Sequence, residues 1–138
     1  MVGFIIIGHN EFGKGLYNAC SMIAGEKNNT VTVDFLPGDD IDILDGKINN
    51  ALSGLICCDE ILVLADLAGG SPYNRSLVLS VENTDKNIHV VGGINLPLLI
   101  EAFCQRDMGK SAEEIVKDIM NLRCDSIIYG NEMLKMDM

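Results

Sequence analysis

"EILVLADLAGGSPYN", residues 60–74, changes character twice within one short span. An apolar run of strand length closes on a carboxylate, Asp66. Gly69-Gly70 then interrupts the run, and Ser71-Pro72 has the form of a helix start. Serine suits the N-cap, and proline suits the first helical position, where its missing N–H costs nothing. A helix is expected from there to about residue 82. A strand that feeds a helix through so short a turn is half of a βαβ unit. Parallel neighbours need a crossover of this kind, so the stretch predicts a helix-covered parallel sheet.

The same alternation continues on both sides. "VGFIII", residues 2–7, is an unbroken apolar run, as expected of a strand buried on both faces. Leu16, Ala19, Cys20 and Ile23 then recur at helical spacing, with Gly25 as the stop. "VTVDF", residues 31–35, makes a second strand. Asp39 or Asp40 can cap the next helix, whose inner face is read as Ile41, Leu44, Ile48, Leu52 and Leu55. "IHVVG", residues 88–92, is the fourth strand, and a helix is expected from about Pro97 to Arg106. Ser111 and Glu114 form a capping box for a helix over 112–123, and "SIIYG", residues 126–130, reads as a last short strand. The expected class is α/β: one domain, an open, mostly parallel sheet in a flavodoxin-like order 2-1-3-4, with helices on both faces. Residues 1–130 form that domain, and 131–138 read as a frayed or docking tail.

Twenty acidic against 10 basic residues give a net charge of −10, which argues against nucleic acid or an anionic membrane as a partner. No apolar run reaches the roughly 18 residues of a membrane span. The amino terminus has no basic region before its apolar run and no small-residue cleavage site, so a signal peptide is not expected. Five cysteines, an odd number with no C-x-x-C spacing, read as buried or half-buried free thiols of a reducing cytoplasm.

In an open parallel sheet, ligands bind beyond the carboxyl ends of the strands, where the strand order reverses. For the expected order that place lies between strands one and three. The chain puts Gly8-His9-Asn10 and Asp66 there, with Gly69, Gly70 and Ser71 just beyond. These residues suit phosphoryl transfer through histidine. A neutral imidazole offers one nitrogen lone pair as nucleophile, and a carboxylate on the other nitrogen fixes the tautomer. Exposed amides at a helix start can receive the phosphoryl oxygens, with close approach allowed by Gly69 and Gly70 and a further donor on Ser71.

Competing readings lack parts. Gly8 and Gly13-Lys14 follow the G-x-x-x-x-G-K frame, but Gly15 replaces the hydroxyl that holds magnesium. As a dinucleotide fingerprint the glycines fail at Asn18. Lys14 is read as a solvated residue of the first helix. A receiver domain would need acids after strand one, a Ser or Thr after strand four and a Lys after strand five. Gly8-His9, Gly92-Gly93 and Gly130 stand there instead. His89, inside the fourth strand, is read as structural, and no cluster supports a metal or another cofactor.

With "IIIGH" at 5–9, "DFLPGDD" at 34–40, "LADLAGGSPYN" at 64–74 and "GGINLPLLIEAF" at 92–103, the chain resembles the mannose-family IIA component of the bacterial phosphoenolpyruvate-dependent sugar phosphotransferase system. The resemblance implies that His9 is the phosphorylated histidine, accepting from the phosphocarrier protein HPr and passing to a IIB component, and through it to a IIC/IID membrane permease. It implies that Asp66 holds the imidazole and that Ser71 lies at the phosphate-binding turn. It also implies a homodimer in which "SIIYG" is exchanged as an antiparallel strand. The chain would act as a free-standing cytoplasmic IIA protein. Ala68, where many relatives are aromatic, and Asn10, where small residues are frequent, depart from the pattern without removing a reacting group. Two rivals remain at this level: the histidine phosphocarrier subunit of a dihydroxyacetone kinase, and a non-catalytic regulatory module of the same fold. Neighbouring transporter or kinase genes would separate the first, and failure to pass phosphoryl to any IIB partner would favour the second.

Overall fold

A computed structural model describes residues 1–136. Its centre is β1 (Val2–His9), whose side chains alternate between two apolar layers. Val2, Phe4 and Ile6 face one layer, and Ile5 and Ile7 face the other. A strand of this kind is stable only with a neighbour on each edge and a helix layer on each face. It has both. β2 (Thr30–Phe35) and β3 (Glu60–Ala65) flank it in parallel, and β4 (Asn87–Gly92) pairs with β3, giving the order β2-β1-β3-β4. The expected order 2-1-3-4 is thus found.

On one face lie α1 (Phe12–Ala24), α4 (Leu96–Asp107) and α5 (Ala112–Leu122), which bring Cys20, Leu99, Phe103, Ile115 and Ile119 to Phe4, Ile6, Leu62 and Leu64. On the other, α2 (Ile41–Gly54) and α3 (Ser71–Glu82) place Leu44, Ile48, Leu52 and Leu79 over Ile5, Ile7, Ile61 and Val63. The helix starts follow their side chains. The Asp40 carboxylate accepts from the Ile43 amide at 2.8 Å, and the Ser111–Glu114 capping box opens α5. Asn95 caps α4 by accepting from Leu98 N–H at 3.0 Å.

Several expectations are corrected. α3 is capped by Gly70, so Ser71 is its first residue and Pro72 its second. Ile23 and Ile41 keep the helical spacing of their inner faces but are 62% and 40% exposed, Ile23 in the last turn of α1 and Ile41 at the first position of α2. Cys20 and Cys58 are buried, whereas Cys57, Cys104 and Cys124 are exposed; all five are free.

The largest difference is at the carboxyl end. "SIIYG" pairs with no strand among the described residues. A 3₁₀ turn (Arg123–Asp125) leads instead into an irregular stretch, and α6 (Gly130–Met136) occupies most of the expected tail. Ile127, Ile128 and Tyr129 are 83%, 69% and 64% exposed, so nothing among the described residues rewards them for becoming a strand. Residues 137 and 138 of that tail lie outside the described residues. Among those described, no helix is long and apolar enough to cross a membrane.

Candidate functional site

β1 is buried from Val2 to Gly8 and emerges at His9, whose side chain is 47% exposed. Next to it, β3 ends at Ala65, and the Asp66 N–H donates to the Ile7 carbonyl at 3.1 Å. Parallel pairing thereby sets the two chain segments level, and their side chains meet. The Asp66 Oδ2 accepts from the His9 backbone N–H at 2.9 Å and lies 2.9 Å from the imidazole Nδ1. A carboxylate acceptor puts the ring proton on Nδ1 and leaves Nε2 with its lone pair. Asp66 is only 14% exposed, and its other oxygen is buried without a partner among the described residues. One oxygen therefore clamps both the backbone and the ring of His9.

Two glycines make room for this pair. A Cβ on Gly8 would stand 2.8 Å from the Asp66 Cγ, so only glycine lets the carboxylate lie against the strand end. A Cβ on Gly70 would stand 2.8 Å from the His9 Cε1, so the start of α3 touches the imidazole edge. Gly69 has φ +88°, the left-handed turn that brings the chain into the helix. The Gly70 N–H is already spent on the Leu67 carbonyl at 3.1 Å, which closes the turn. The Asn74 side chain also braces it, donating to the Gly69 carbonyl at 3.0 Å. Among the described residues, the N–H groups of Gly69 and Ser71 and the Ser71 hydroxyl have no acceptor in the chain. The helix start is thus an open set of donors beside the imidazole.

The opposite wall was not legible as part of the site. Phe35, level with His9 in the sheet, presents its ring at 69° to the imidazole with centroids 5.9 Å apart. The Asn10 N–H donates to the Phe35 carbonyl at 2.7 Å, and Asn10 itself takes φ 53° to leave the strand. Beyond them, Leu36, Pro37, Gly38 and Asp39 line an open depression of about 340 Å³ against His9 and Asn10. "DFLPGDD" carried the resemblance, but its Phe35 gained a place in the site only through strand register.

Lys14 stands apart, half exposed and 3.7 Å from carboxylate oxygens of both Glu11 and Asp34. The glycine before it is a packing residue: a Cβ on Gly13 would fall 2.4 Å from the Ile6 carbonyl oxygen, where α1 crosses β1. The phosphate-loop pattern is therefore a helix contact. His89 is half-buried in β4, with a buried Nε2 that has no partner among the described residues. Among those residues, no group of three or more His, Cys, Asp or Glu side chains is arranged to hold a metal ion.

The chain as a whole resembles known proteins in both sequence and fold. A family model described as the fructose IIA component of the phosphotransferase system matches residues 3–120. The chain belongs to the mannose-family IIA components. It is 35% identical over 121 residues to the fructose-specific EIIA component of Bacillus subtilis (strain 168), covering 88% of this chain and 78% of that one. It is 34% identical over 113 residues to the mannose-specific EIIAB component of Escherichia coli (strain K12), covering 81% of this chain and only 34% of that longer protein. The crystal structure of the EIIA component of Streptococcus agalactiae superposes with a TM-score of 0.87 at 33% identity, over 96% of this chain and 99% of that one. As a IIA component, the chain is part of the phosphotransferase machinery of sugar transport.

Proposed function

We propose that this IIA component is a phosphoryl carrier that accepts the group from phospho-HPr on His9 Nε2 and passes it to a IIB component. The observation that carries the reading is the 2.9 Å contact between Asp66 Oδ2 and His9 Nδ1. In the neutral ring it directs the proton to Nδ1 and leaves the Nε2 lone pair free on a half-exposed side chain, at the start of a helix with uncommitted donors. Nε2 attacks the phosphorus of the donor's phosphohistidine in line. The new N–P bond forms as the old one breaks, and the departing electron pair stays on the donor imidazole. As His9 gains imidazolium character, Asp66 balances it at Nδ1–H. The Ser71 N–H and hydroxyl and the Gly69 N–H receive the phosphoryl oxygens. Gly70 contributes shape, because its own N–H is engaged within the turn. Transfer to IIB runs the same step in reverse against a second imidazole or a thiol.

The same reading includes a cytoplasmic homodimer working with a IIC/IID permease, with "SIIYG", residues 126–130, as the exchanged antiparallel strand. The likeness to fructose- and mannose-specific components favours this branch over a kinase subunit.

Incubation with phosphoenolpyruvate, enzyme I and HPr should label the wild-type protein, and His9→Ala should abolish labelling. Asp66→Asn should keep the fold and accept phosphoryl about 100-fold more slowly, the scale of a lost positioned acid–base partner. A wild-type chain left unlabelled by competent partners overturns the proposal. An unchanged rate for Asp66→Asn removes the carboxylate from the mechanism.

A further inference from the structure

The Asp66 contact fixes one end of the imidazole, but a ring held at Nδ1 alone can still rock about that bond. Besides the start of α3, the ring is met by Phe35, which sits where β2 runs into the turn Leu36–Asp39. That turn is held by four bonds, three of which meet at one carboxylate and one cation. The Asp39 N–H donates to the Leu36 carbonyl at 3.0 Å, and the Leu36 N–H donates back to Asp39 Oδ2 at 2.9 Å. From α2, the Lys47 Nζ donates to the same Asp39 Oδ2 at 2.6 Å and to the Asp34 carbonyl at 2.8 Å. Lys47 therefore joins the last residues of β2 to the far side of the turn. Phe35 lies between its two anchor points.

We propose that Lys47 is a positioning residue for phosphoryl transfer, acting through Asp39 and the Asp34 carbonyl to hold Phe35 against the His9 ring. This rests on the carrier reading above. Lys47 touches no reacting atom. Its Asp39 partner is partly shielded, at 15% exposure, and the Lys47 hydrogen bond holds that carboxyl below its usual range. Without the ammonium, the turn loses the tie to α2, and the Phe35 edge is free to leave the imidazole. A near-attack geometry is sensitive to displacements of an ångström, so the loss falls on the transfer step more than on docking.

The test compares the full chain with Lys47→Met, Asp39→Asn and the double variant. In the wild type, nuclear Overhauser contacts between the Phe35 and His9 rings and slow exchange of the Leu36 N–H are expected. Each single variant should lose those contacts and exchange Leu36 at least about tenfold faster. Each should also lower the rate of phosphoryl acceptance from phospho-HPr about tenfold, with KM little changed. The double variant should be no worse than either single one, because both remove the same latch. Lys47→Arg should recover most of the rate. Retained ring contacts and Leu36 protection in both single variants would overturn the proposal. So would loss of both at an unchanged rate. The ring contacts are read without any transfer, so a wild type that accepts no phosphoryl group sinks the carrier reading and leaves the latch to be judged on its geometry. If Lys47→Met does not fold, Asp39→Asn carries the same readouts from the other end of the contact.

Discussion

The pairing of His9 with Asp66 depends on residues that contribute no functional group at all. Gly8 and Gly70 are needed for what they lack, since a methyl at either place would occupy the space of the carboxylate or the ring. This makes Gly70→Ala a sharp probe. Its Cβ, 2.8 Å from His9 Cε1, cannot be accommodated unless the imidazole moves or the start of α3 recedes. Either response disturbs the Nδ1–Asp66 contact and the aim of Nε2. Gly70 has φ −76° and ψ 164°, ordinary for alanine at an N-cap, so backbone strain does not confuse the outcome. The expected result is a folded protein whose phosphoryl acceptance falls about 100-fold, the scale of an ångström of misplacement. Circular dichroism and single-turnover labelling separate the two effects. A Gly70→Ala protein that transfers at the wild-type rate would show that the helix start does not constrain the ring.

At the scale of elements, the first helix shows why a local pattern is read more safely as packing than as a site. The G-x-x-x-x-G-K frame is a true feature of the sequence, yet its second glycine is where α1 approaches β1 too closely for any side chain. Gly15, two residues on, faces open space within the same helix. The two glycines should therefore respond oppositely to the same substitution. Gly13→Ala drives a methyl into the Ile6 carbonyl, which has no flexible end to yield. A loss in the upper part of the ~1–3 kcal/mol range for overpacking is expected. Gly15→Ala removes unfolded-state freedom from a helix interior and should stabilise by about 0.5–1 kcal/mol. Urea unfolding midpoints at constant m-value check both. Equal effects of the same sign would mean that helix propensity, rather than the α1–β1 contact, decides these positions.

For the molecule as a whole, what could be read in advance follows from the range of each interaction. Alternating strand and helix patterns, the Asp40 and Ser111 caps and the order of four strands rest on local periodicity and on the rules of parallel crossovers. The meeting of His9 with Asp66 follows from that order alone, because it brings the ends of strands one and three side by side. Phe35 and the Lys47 latch depend on register and on a side chain reaching from another element, which no short window of sequence contains. "SIIYG" has strand composition but no pairing strand among the described residues, so its pattern could not fix its conformation. Long-range links of this kind also tie the helices of one face together. Arg75 of α3 reaches Asp45 of α2 through two bonds, of 2.9 and 2.7 Å. The Arg75 guanidinium, chiefly by hydrogen bonding, holds the Asp45 carboxyl below its usual range. A carboxyl with a lowered folded-state pKa contributes stability above its unfolded value, about 3.9, and loses that contribution as pH falls through the lower folded value. Asp39, beside Lys47, and Glu114, in the α5 capping box, have the same sign. Stability should therefore fall steeply below about pH 4, where these carboxyls take up protons more readily in the unfolded chain. Asp45→Asn should unfold at a lower temperature than the wild type at pH 7, and the two should converge as the pH is lowered towards 2. Melting curves taken across that window decide the point: a difference that persists unchanged at the acid end would mean that Asp45 stabilises α2 against α3 by packing and not through its charge.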